Sequence, residues 1–482
     1  MRKILLAIVV LSLPLGSIFA TQARLGGLGV ANWMVENDDS LIWLNPVRIS
    51  YYPKTLFAEL GTAAGSGAAP VVDGNLAVAT QWGGISANCP LVRGAVLGLF
   101  LNRPYWGMLA NAGANAAGSD VAAVPADVFG TAFTALAPQT QWELFYALPK
   151  IGPVKLGALL SFAGDYVSND NSNVTKPNPA ANDVTANDEL SSSDLNLVIG
   201  GQLNNLAIIS QLDVAISVGM PSAKNTYRFS IYNGTKWINV DDWSFKTDGA
   251  TNLGLTARAA IPFKGNPLLA YLSYVSADIS NTFDQTIDSN ANEVLAPADG
   301  DTYYQQKRTQ KQTTITLGAS YNVNISPKTM MIVAANINQT EATNNATQRE
   351  LFATQSGIDA EYNSKTVAVN IPVNLAIEHK VSSVITGRLG CSQSIYQLTT
   401  TEVSDPDYNW NGSAYVLNNQ INNTSKTQTL GATTISLGAG LKLLDNLMLD
   451  AVVRQQVLFS GTYLISGVPE TLVSQISAIY RF

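Results

Sequence analysis

The stretch TTITLGASYNVNI, residues 313–325, decides the fold class of this chain. From Ile315 onward its odd positions carry apolar or aromatic side chains, such as Leu317 and Tyr321, whereas Thr, Gly, Ser and Asn fill the even positions. A period of two places alternate side chains on opposite faces of a β-strand, and no helical period fits this pattern. The stretch therefore predicts a strand with one apolar and one polar face.

The same alternation returns in residues 365–378 and 447–459. Apart from Lys365 at the start of the first stretch, the charged side chains there keep to the polar parity, as Glu378, Asp450 and Arg454 show. Lipid excludes charge from the face it covers, whereas a polar or filled lumen accepts it. These strands predict an all-β fold, a transmembrane antiparallel β-barrel, with Leu317 and its row turned to lipid.

Composition agrees with a membrane barrel and disfavours a set of soluble domains. Only 13% of the 482 residues are charged, and mean hydropathy is +0.10, whereas soluble proteins carry about 25% charged residues. After the amino-terminal leader, no apolar run reaches the length of about 18 residues that a transmembrane helix needs. A membrane protein without helical spans is a closed barrel. We expect no disulfide between the two cysteines, Cys89 and Cys391.

Connections of alternating length set the strand count. Thirteen strands follow from about Gln141 onward, and residues 55–62, 75–84 and 91–101 are candidates for three more. An even total is required when both chain ends lie on one side, so the pattern predicts 14 or 16 strands and favours 16. We interpret the polar stretches between strands as long solvated loops: 169–193, 220–248, 281–310, 342–363 and 399–427.

The first residues predict export. Arg2 and Lys3 precede an apolar run that ends at Ala20, which is typical of a secretory signal peptide comprising residues 1–20. Removing Arg2 and Lys3 leaves 26 basic residues against 35 acidic ones, which disfavours nucleic acid as a partner. We therefore expect a signal peptide, an amino-terminal segment over 21–54, and a barrel over 55–482 in the bacterial outer membrane, in contact with its lipid and lipopolysaccharide.

The last strand carries a candidate assembly signal. Ile476 and Tyr480 share one face, and the chain ends on the aromatic residue Phe482. This ending resembles the terminal signal by which the barrel-assembly machinery recognises outer-membrane proteins, which implies that machinery as a partner.

Ahead of the first predicted strand lie a glycine-rich patch, an acid pair and an Asn-Pro step: Gly27, Gly29, Asp38, Asp39, Trp43, Asn45 and Pro46. Their order resembles the amino-terminal hatch of the FadL superfamily of long-chain fatty-acid transporters, which includes PorV-like barrels. The resemblance implies a 14-stranded barrel with the hatch in its lumen, and passive uptake of hydrophobic small molecules such as long-chain fatty acids or aromatic hydrocarbons. Val47 stands where the family has the Ala of an Asn-Pro-Ala motif.

The residues themselves agree with a segment inside the lumen. The apolar run Leu41–Leu44 can pack against a lumen wall, and Trp33 and Trp43 would be poorly placed in a solvated periplasmic linker, which is the alternative interpretation. We expect a helix to end at Asn45, because it precedes a proline. Inward residues expected from parity include Glu143, Lys155, Asp165, Asp213, Arg258, Arg388, Lys442, Asp450 and Arg454. Asp38, Asp39 and Asn45 would pair with Arg258, Arg388 or Arg454.

The connection from Asn102 to Thr140 is rich in Ala and Gly and contains an apolar cluster: Tyr105, Trp106, Met108 and Leu109. An exposed apolar patch on a loop usually marks a binding surface. We expect this loop to cover the extracellular mouth and to bind a hydrophobic ligand first.

No catalytic group or metal site is expected, because His379 is the only histidine and falls in a predicted turn. The sequence thus predicts a protein that is not an enzyme and needs no cofactor. Two functional hypotheses stay open. One is a channel for passive uptake of hydrophobic small molecules, and the other is a non-transporting PorV-like secretion adaptor or structural barrel.

Overall fold

The computed structural model describes most of the chain. The described residues are 22–36, 38–61, 82–103, 140–173, 183–233, 235–288, 302–352, 355–411, 413, 415–431, 433–453 and 473–482. The predicted signal peptide and the apolar cluster Tyr105–Leu109 lie outside them. Among the described residues, no helix is both long and apolar enough to cross a membrane.

Helices come first along the chain. Helix α1 spans Gln22–Leu28, and three 3₁₀ helices follow at Asn32–Met34, Asp39–Ile42 and Pro46–Tyr51. The shorter strands are β1 (Thr55–Gly61), β2 (Trp82–Asn88), β3 (Val96–Leu101), β4 (Thr140–Ala147), β14 (Tyr415–Thr429), β15 (Thr433–Leu444), β16 (Leu447–Val453) and β17 (Val473–Arg481). The longer ones are β5 (Val154–Asn173), β6 (Val184–Leu206), β7 (Ile209–Tyr232), β8 (Trp237–Phe263), β9 (Asn266–Ile287), β10 (Thr302–Ser326), β11 (Thr329–Phe352), β12 (Gln355–Lys380) and β13 (Ile385–Trp410).

All these strands form one antiparallel sheet, which closes where β1 pairs with β17 from Thr55↔Arg481 onward. β14 and β15 both pair with β13, the first with its carboxyl-terminal half and the second with its amino-terminal half. They therefore occupy one position, interrupted near Gly431, whose N–H donates to Ser394 O at 3.0 Å. The barrel has sixteen positions, and the prediction of 14 to 16 strands, with 16 favoured, is confirmed.

The strands β5 to β13 are long, with 20–27 residues each. The described parts of β1 to β4, β16 and β17 have 6–9 residues, and all of these except β3 begin or end next to residues outside the described ranges. The prediction of long solvated loops was therefore wrong over most of their length. Residues 220–232 and 237–248, for example, are paired strands of β7 and β8. The apolar–polar alternation is lost there because polar side chains occupy much of both faces, but the backbone ladder still forms, and β-branched Thr favours it.

Two smaller predictions also need correction. The second strand, predicted to end at residue 84, continues to Asn88, and the predicted residues 75–81 lie outside the described part. Residues 378–380, expected in a turn, end β12, and the turn follows at 381–384. Apolar Val381 and Val384 hid this turn, because they continue the apolar pattern of the strand.

The alternation in residues 313–325 has the predicted orientation. Leu317 is 53% exposed on the outer face, while Ser320 and Asn322 are buried on the inner face. Leu317 lies opposite Ile337 on one neighbouring strand and Leu272 on the other, and both are exposed too. Cys391 shares this outer face through its pairing with exposed Leu375, and both cysteines are free.

Candidate functional site

Residues 22–52, called here the inner segment, hold the helices that precede β1. The Asn45–Pro46 step starts the last of them and does not end a helix, contrary to the sequence prediction. Asn45 has the extended backbone that a residue before proline requires, and its side chain accepts a hydrogen bond from Val47 N at 3.2 Å. Pro46 then takes the first helical position, where its missing N–H costs nothing.

The inner segment touches widely separated strands of the closed sheet. A Cβ built on Gly27 would lie 2.7 Å from Gly438 Cα on β15, and one built on Gly157 of β5 would lie 2.7 Å from Val47 N. The Trp33 ring packs against Gly318 of β10. These strands lie far apart around the ring and present the same inward face. The inner segment therefore lies within the barrel, and glycines permit its close approach.

Acid–arginine contacts join the beginning of the inner segment to one side of the wall. Arg24 contacts Asp38 of the same segment at 2.5 Å and Glu378 of β12 at 3.0 Å. Glu378 also accepts from Arg388 of β13 at 2.7 Å, and Arg388 contacts Asp450 of β16 at 2.6 Å. All five side chains have little or no exposure. This group, called the Arg24 cluster, links the segment to three strands.

A second buried group, called the Asp213 cluster, joins the end of the inner segment to β6, β7 and β8. Asp213 of β7 forms an ion pair with Arg48 and accepts from Asn45 Nδ2 at 3.2 Å and Gln202 Nε2 at 2.8 Å. Arg258 of β8 lies at 3.9 Å from the same carboxylate.

Arg258 also holds the middle of the inner segment. It donates to the main-chain oxygens of Trp33 and Val35 at 2.9 and 3.0 Å, and to Glu36 Oε2 at 2.5 Å. The guanidinium is 1% exposed. A planar group with several donors can bind a carboxylate and two carbonyls together, which a lysine could not reproduce. Arg258 thus pairs with an acidic side chain of the segment and also holds its backbone by hydrogen bonds.

Aromatic rings pack between the inner segment and the strands β1 to β4. The Trp43 ring lies 5.4 Å from those of Trp82 and Phe100 and 6.4 Å from that of Phe145, all edge to face. Its indole N–H donates to Glu143 Oε2 at 2.8 Å. Phe57 and Tyr52 extend this group, called the aromatic cluster, toward β1. Such packing adds stability beyond the area buried.

Asp39 is the acid of the inner segment whose buried carboxylate has the fewest stabilising contacts. It is 8% exposed, and within the described part of the chain its Oδ2 has no hydrogen-bond partner. Burial raises the pKa of the Asp39 carboxyl, and the neighbouring Asp38 carboxylate raises it further. The folded protein therefore binds a proton at Asp39 more tightly than the unfolded chain does.

Asp39→Asn should flatten the pH dependence of stability. Because the folded pKa of Asp39 is raised, its contribution to stability is present at low pH and is lost as pH rises through that pKa. The variant should match the parent at low pH and exceed it at higher pH, as measured by the midpoint of thermal unfolding across a pH series. An unchanged difference between low and high pH would contradict this assignment.

The structure places every candidate of the predicted hatch within the inner segment. Gly27, Asp38, Asp39, Asn45 and Pro46 are buried, and Gly29 and Trp43 are partly buried. Gly29 has a φ of 62°, which glycine adopts without strain. Residues 21 and 37 lie outside the described part.

The predicted partners of these residues were wrong in detail. Asp38 binds Arg24, not a wall arginine, and the acid that meets Arg258 is Glu36. Sequence reasoning missed Arg24, Glu36 and Arg48. Their signal was the presence of two basic residues in a segment expected to face inward acids such as Asp213 and Glu378.

The other candidates are placed as follows. Glu143, Asp213, Arg258, Arg388 and Asp450 are buried and inward, whereas Lys442 is exposed at a turn and pairs with Asp445 at 2.8 Å. Lys155 lies at the lumen edge, its Nζ 3.6 Å from the ring centre of Tyr51. Arg454, the Asp165 side chain and the loop candidates Tyr105, Trp106, Met108 and Leu109 lie outside the described residues. Ile476 and Phe482 are exposed and Tyr480 is half-buried on the closing strand.

No protein-family model and no curated protein matches the chain. Among solved structures, it is similar to the toluene transporter TodX of Pseudomonas putida, with 11% identity over 96% of each chain and a TM-score of 0.32. It is also similar to the copper transporter OprC, with 9% identity over 83% of this chain and 72% of that one and a TM-score of 0.28. Neither these identities nor these TM-scores assign the chain to a family.

Proposed function

We propose that this chain is an outer-membrane channel for passive uptake of hydrophobic small molecules, and that the inner segment is the hatch that closes it. The observation that carries the proposal is the inner segment itself, packed inside a closed barrel and fastened by ion pairs. A structural barrel of this size needs no such device. Charged contacts can exchange partners during a movement more readily than an interdigitated apolar core can.

An apolar belt on the outer face supports the membrane location. On β10 it runs from Ile325 to Ile315, and the neighbouring strands continue it at the same height. Eleven residues of a strand tilted by about 40° rise about 25 Å, the height of the apolar band of outer-membrane barrels. A closed sheet leaves no backbone group without a partner in such a setting.

Paired charges mark the upper limit of this belt. Lys311 contacts Asp278 at 2.6 Å, and Lys365 contacts Glu341 at 2.7 Å, all on the outer face just beyond Ile315. These charges belong above the hydrocarbon, where lipopolysaccharide provides phosphates and divalent cations. Lipid and lipopolysaccharide are therefore the surroundings that we propose for the barrel.

The aromatic cluster supports a hydrophobic substrate. Six rings meet between the inner segment and the strands β1 to β4: those of Trp43, Trp82, Phe100, Phe145, Phe57 and Tyr52. Movement of Trp43 away from this wall would uncover an apolar surface in the lumen, suited to an acyl chain or an aromatic hydrocarbon. These residues would bind the substrate and let it pass, and neither role requires a chemical reaction.

Leu317→Arg tests the membrane location. An arginine near the middle of the lipid-facing belt should destabilise the barrel by about 2–4 kcal/mol and reduce its assembly. The matched control is Asn345→Arg, an exposed outer-face position beyond the belt on β11, where the cost should be small. Folded yield can be measured by heat-modifiable gel mobility. Equal yields of the two variants would place Leu317 in water.

Uptake of labelled fatty acids and alkylaromatics by whole cells tests the transport function. Cells that express the protein should take up these compounds faster than a deletion strain, and a small hydrophilic solute should show no such difference. Equal hydrophobic uptake in both strains, with the barrel folded in the membrane, would contradict the proposal. The adaptor hypothesis would then be favoured, since the tall strands β5 to β13 extend beyond the belt and offer a surface for protein partners.

A further inference from the structure

One end of the barrel carries a ring of exposed cations. The residues are Lys54, Arg93, Lys150, Lys264, Lys328, Lys380, Lys442 and Arg481, called here the basic rim. Every connection at this end is described, and six of its seven hairpin turns contribute to the rim, the exception being the turn at Ala207–Ile208. The only exposed acidic side chain there is Asp445, which pairs with Lys442.

The charge of the basic rim is opposite to that of the whole chain, whose formal net charge is −7. Positive charge is therefore concentrated at one end against an acidic background. The cations are also spread around the full circle of turns. A protein partner would contact one sector of such a ring, whereas a layer of lipid headgroups surrounds all of it.

Two of these lysines occupy backbone positions that disfavour them. Lys264 has a φ of 49° in the two-residue turn with Gly265, and Lys54 has a φ of 58° just before β1. Asn, Asp or Gly are the usual residues in such left-handed positions. A lysine held there despite the conformational cost points to a role for its charge.

Apolar side chains lie exposed in the turns at this end of the barrel, including the turn at Ala207–Ile208 that has no cation. Leu91 is 91% exposed, Ile208 76%, Ile151 66% and Val381 60%. Exposed apolar groups interleaved with cations are the composition of surfaces that bind the headgroup region of anionic membranes. The turns thus match a boundary where acyl chains end and phosphates begin.

The strands are joined by short turns at this end, and short turns of outer-membrane barrels face the periplasm. We propose that the basic rim binds the phosphate headgroups of anionic phospholipids, such as phosphatidylglycerol, in the periplasmic leaflet. The inference rests on the membrane location proposed above and goes beyond the transport function. Each turn would bring one ammonium or guanidinium group to the phosphate level, with the apolar tips beside it. The ring would then fix the depth of the barrel and enrich anionic lipid around its periplasmic end.

The test is native mass spectrometry of lipids retained by the full-length protein. The protein is reconstituted in an equimolar mixture of phosphatidylglycerol and phosphatidylethanolamine and released from it gently. The variant replaces four rim lysines by Gln, at positions 150, 264, 328 and 380. The matched control replaces four exposed lysines far from the rim, at positions 246, 311, 365 and 426, and changes the net charge equally.

The parent should retain phosphatidylglycerol preferentially, by roughly fivefold or more, given the affinity of surface lysines for anionic lipid. The rim variant should lose most of this preference, and the control should keep it. An unchanged preference in the rim variant, an equal loss in both variants, or specific retention of an acidic protein in place of lipid would overturn the inference. Retained lipid without headgroup preference would leave the membrane location intact, whereas no retained lipid would contradict that location. Heat-modifiable mobility verifies that each variant is folded.

Discussion

Asp213→Asn should lower the free energy of unfolding by about 3–5 kcal/mol and loosen the inner segment, because it removes the charge partner of two buried arginines. Arg48 would lose its carboxylate, and Arg258 would retain only Glu36. The hydrogen bonds from Asn45 and Gln202 to Oδ1 can persist with an amide oxygen, whereas Arg48 and Gln211 would lose Oδ2 as their acceptor. The midpoint of thermal unfolding by heat-modifiable mobility measures the loss, and protease sensitivity of residues 22–52 measures the loosening.

Asp242→Asn is the matched control for that experiment. Asp242 also pairs with an arginine, Arg228, at 3.1 Å, but both side chains are substantially exposed. Exposed ion pairs contribute about 0–1 kcal/mol, because water screens the attraction. Equal effects of the two substitutions would show that Asp213 is hydrated in the protein and that the Asp213 cluster does not fasten the inner segment.

Much of the wall could be predicted from the sequence because a membrane barrel imposes a strict local rule. Alternation in residues 313–325 and 447–453 identified the strands, their outer faces and the inward acid Asp450 without knowledge of any contact. The total of sixteen followed from parity of the strand count and three weak candidates near the amino terminus. The rule depends only on residues two apart, so a single sequence contains it.

The rule failed where lipid no longer constrains the strands. Asn345 and Asn363 pair across β11 and β12 in a region expected to be a loop. Beyond the lipid the outer face accepts polar side chains, and the backbone ladder continues without a regular row of apolar residues. Residues common in turns were the only remaining signal. Asn and Ser lie within these strands, so the signal falsely indicated loops.

The inner segment was predicted better in location than in contacts. Its apolar run and lack of alternation indicated the lumen, but Arg24 and Glu378 are 354 residues apart in sequence. Which acid meets which arginine depends on the three-dimensional path of the segment, and no local pattern records that path. Asn45 was misjudged for a different reason, since an Asn-Pro step can end one helix or cap the next.

Two separate clusters of contacts hold the inner segment in the barrel, and this arrangement suits the proposed hatch. The Arg24 cluster holds its beginning to β12, β13 and β16, and the Asp213 cluster holds its end to β6, β7 and β8. The two sets of strands lie on different sides of the barrel. Release of one cluster would therefore let the segment swing while the other still retains it.

The most direct test of this account is the single-channel conductance of the protein without residues 24–45. This deletion removes Arg24, Glu36, Asp38 and Trp43 but leaves Arg48 beside Asp213. If the inner segment closes the barrel, the full-length protein should be closed or barely conducting, and the truncated protein should form an open pore with a clear rise in conductance. An unchanged low conductance in the truncated protein, with the barrel shown intact by heat-modifiable mobility, would contradict it and remove the main support for a channel closed by its own amino-terminal segment.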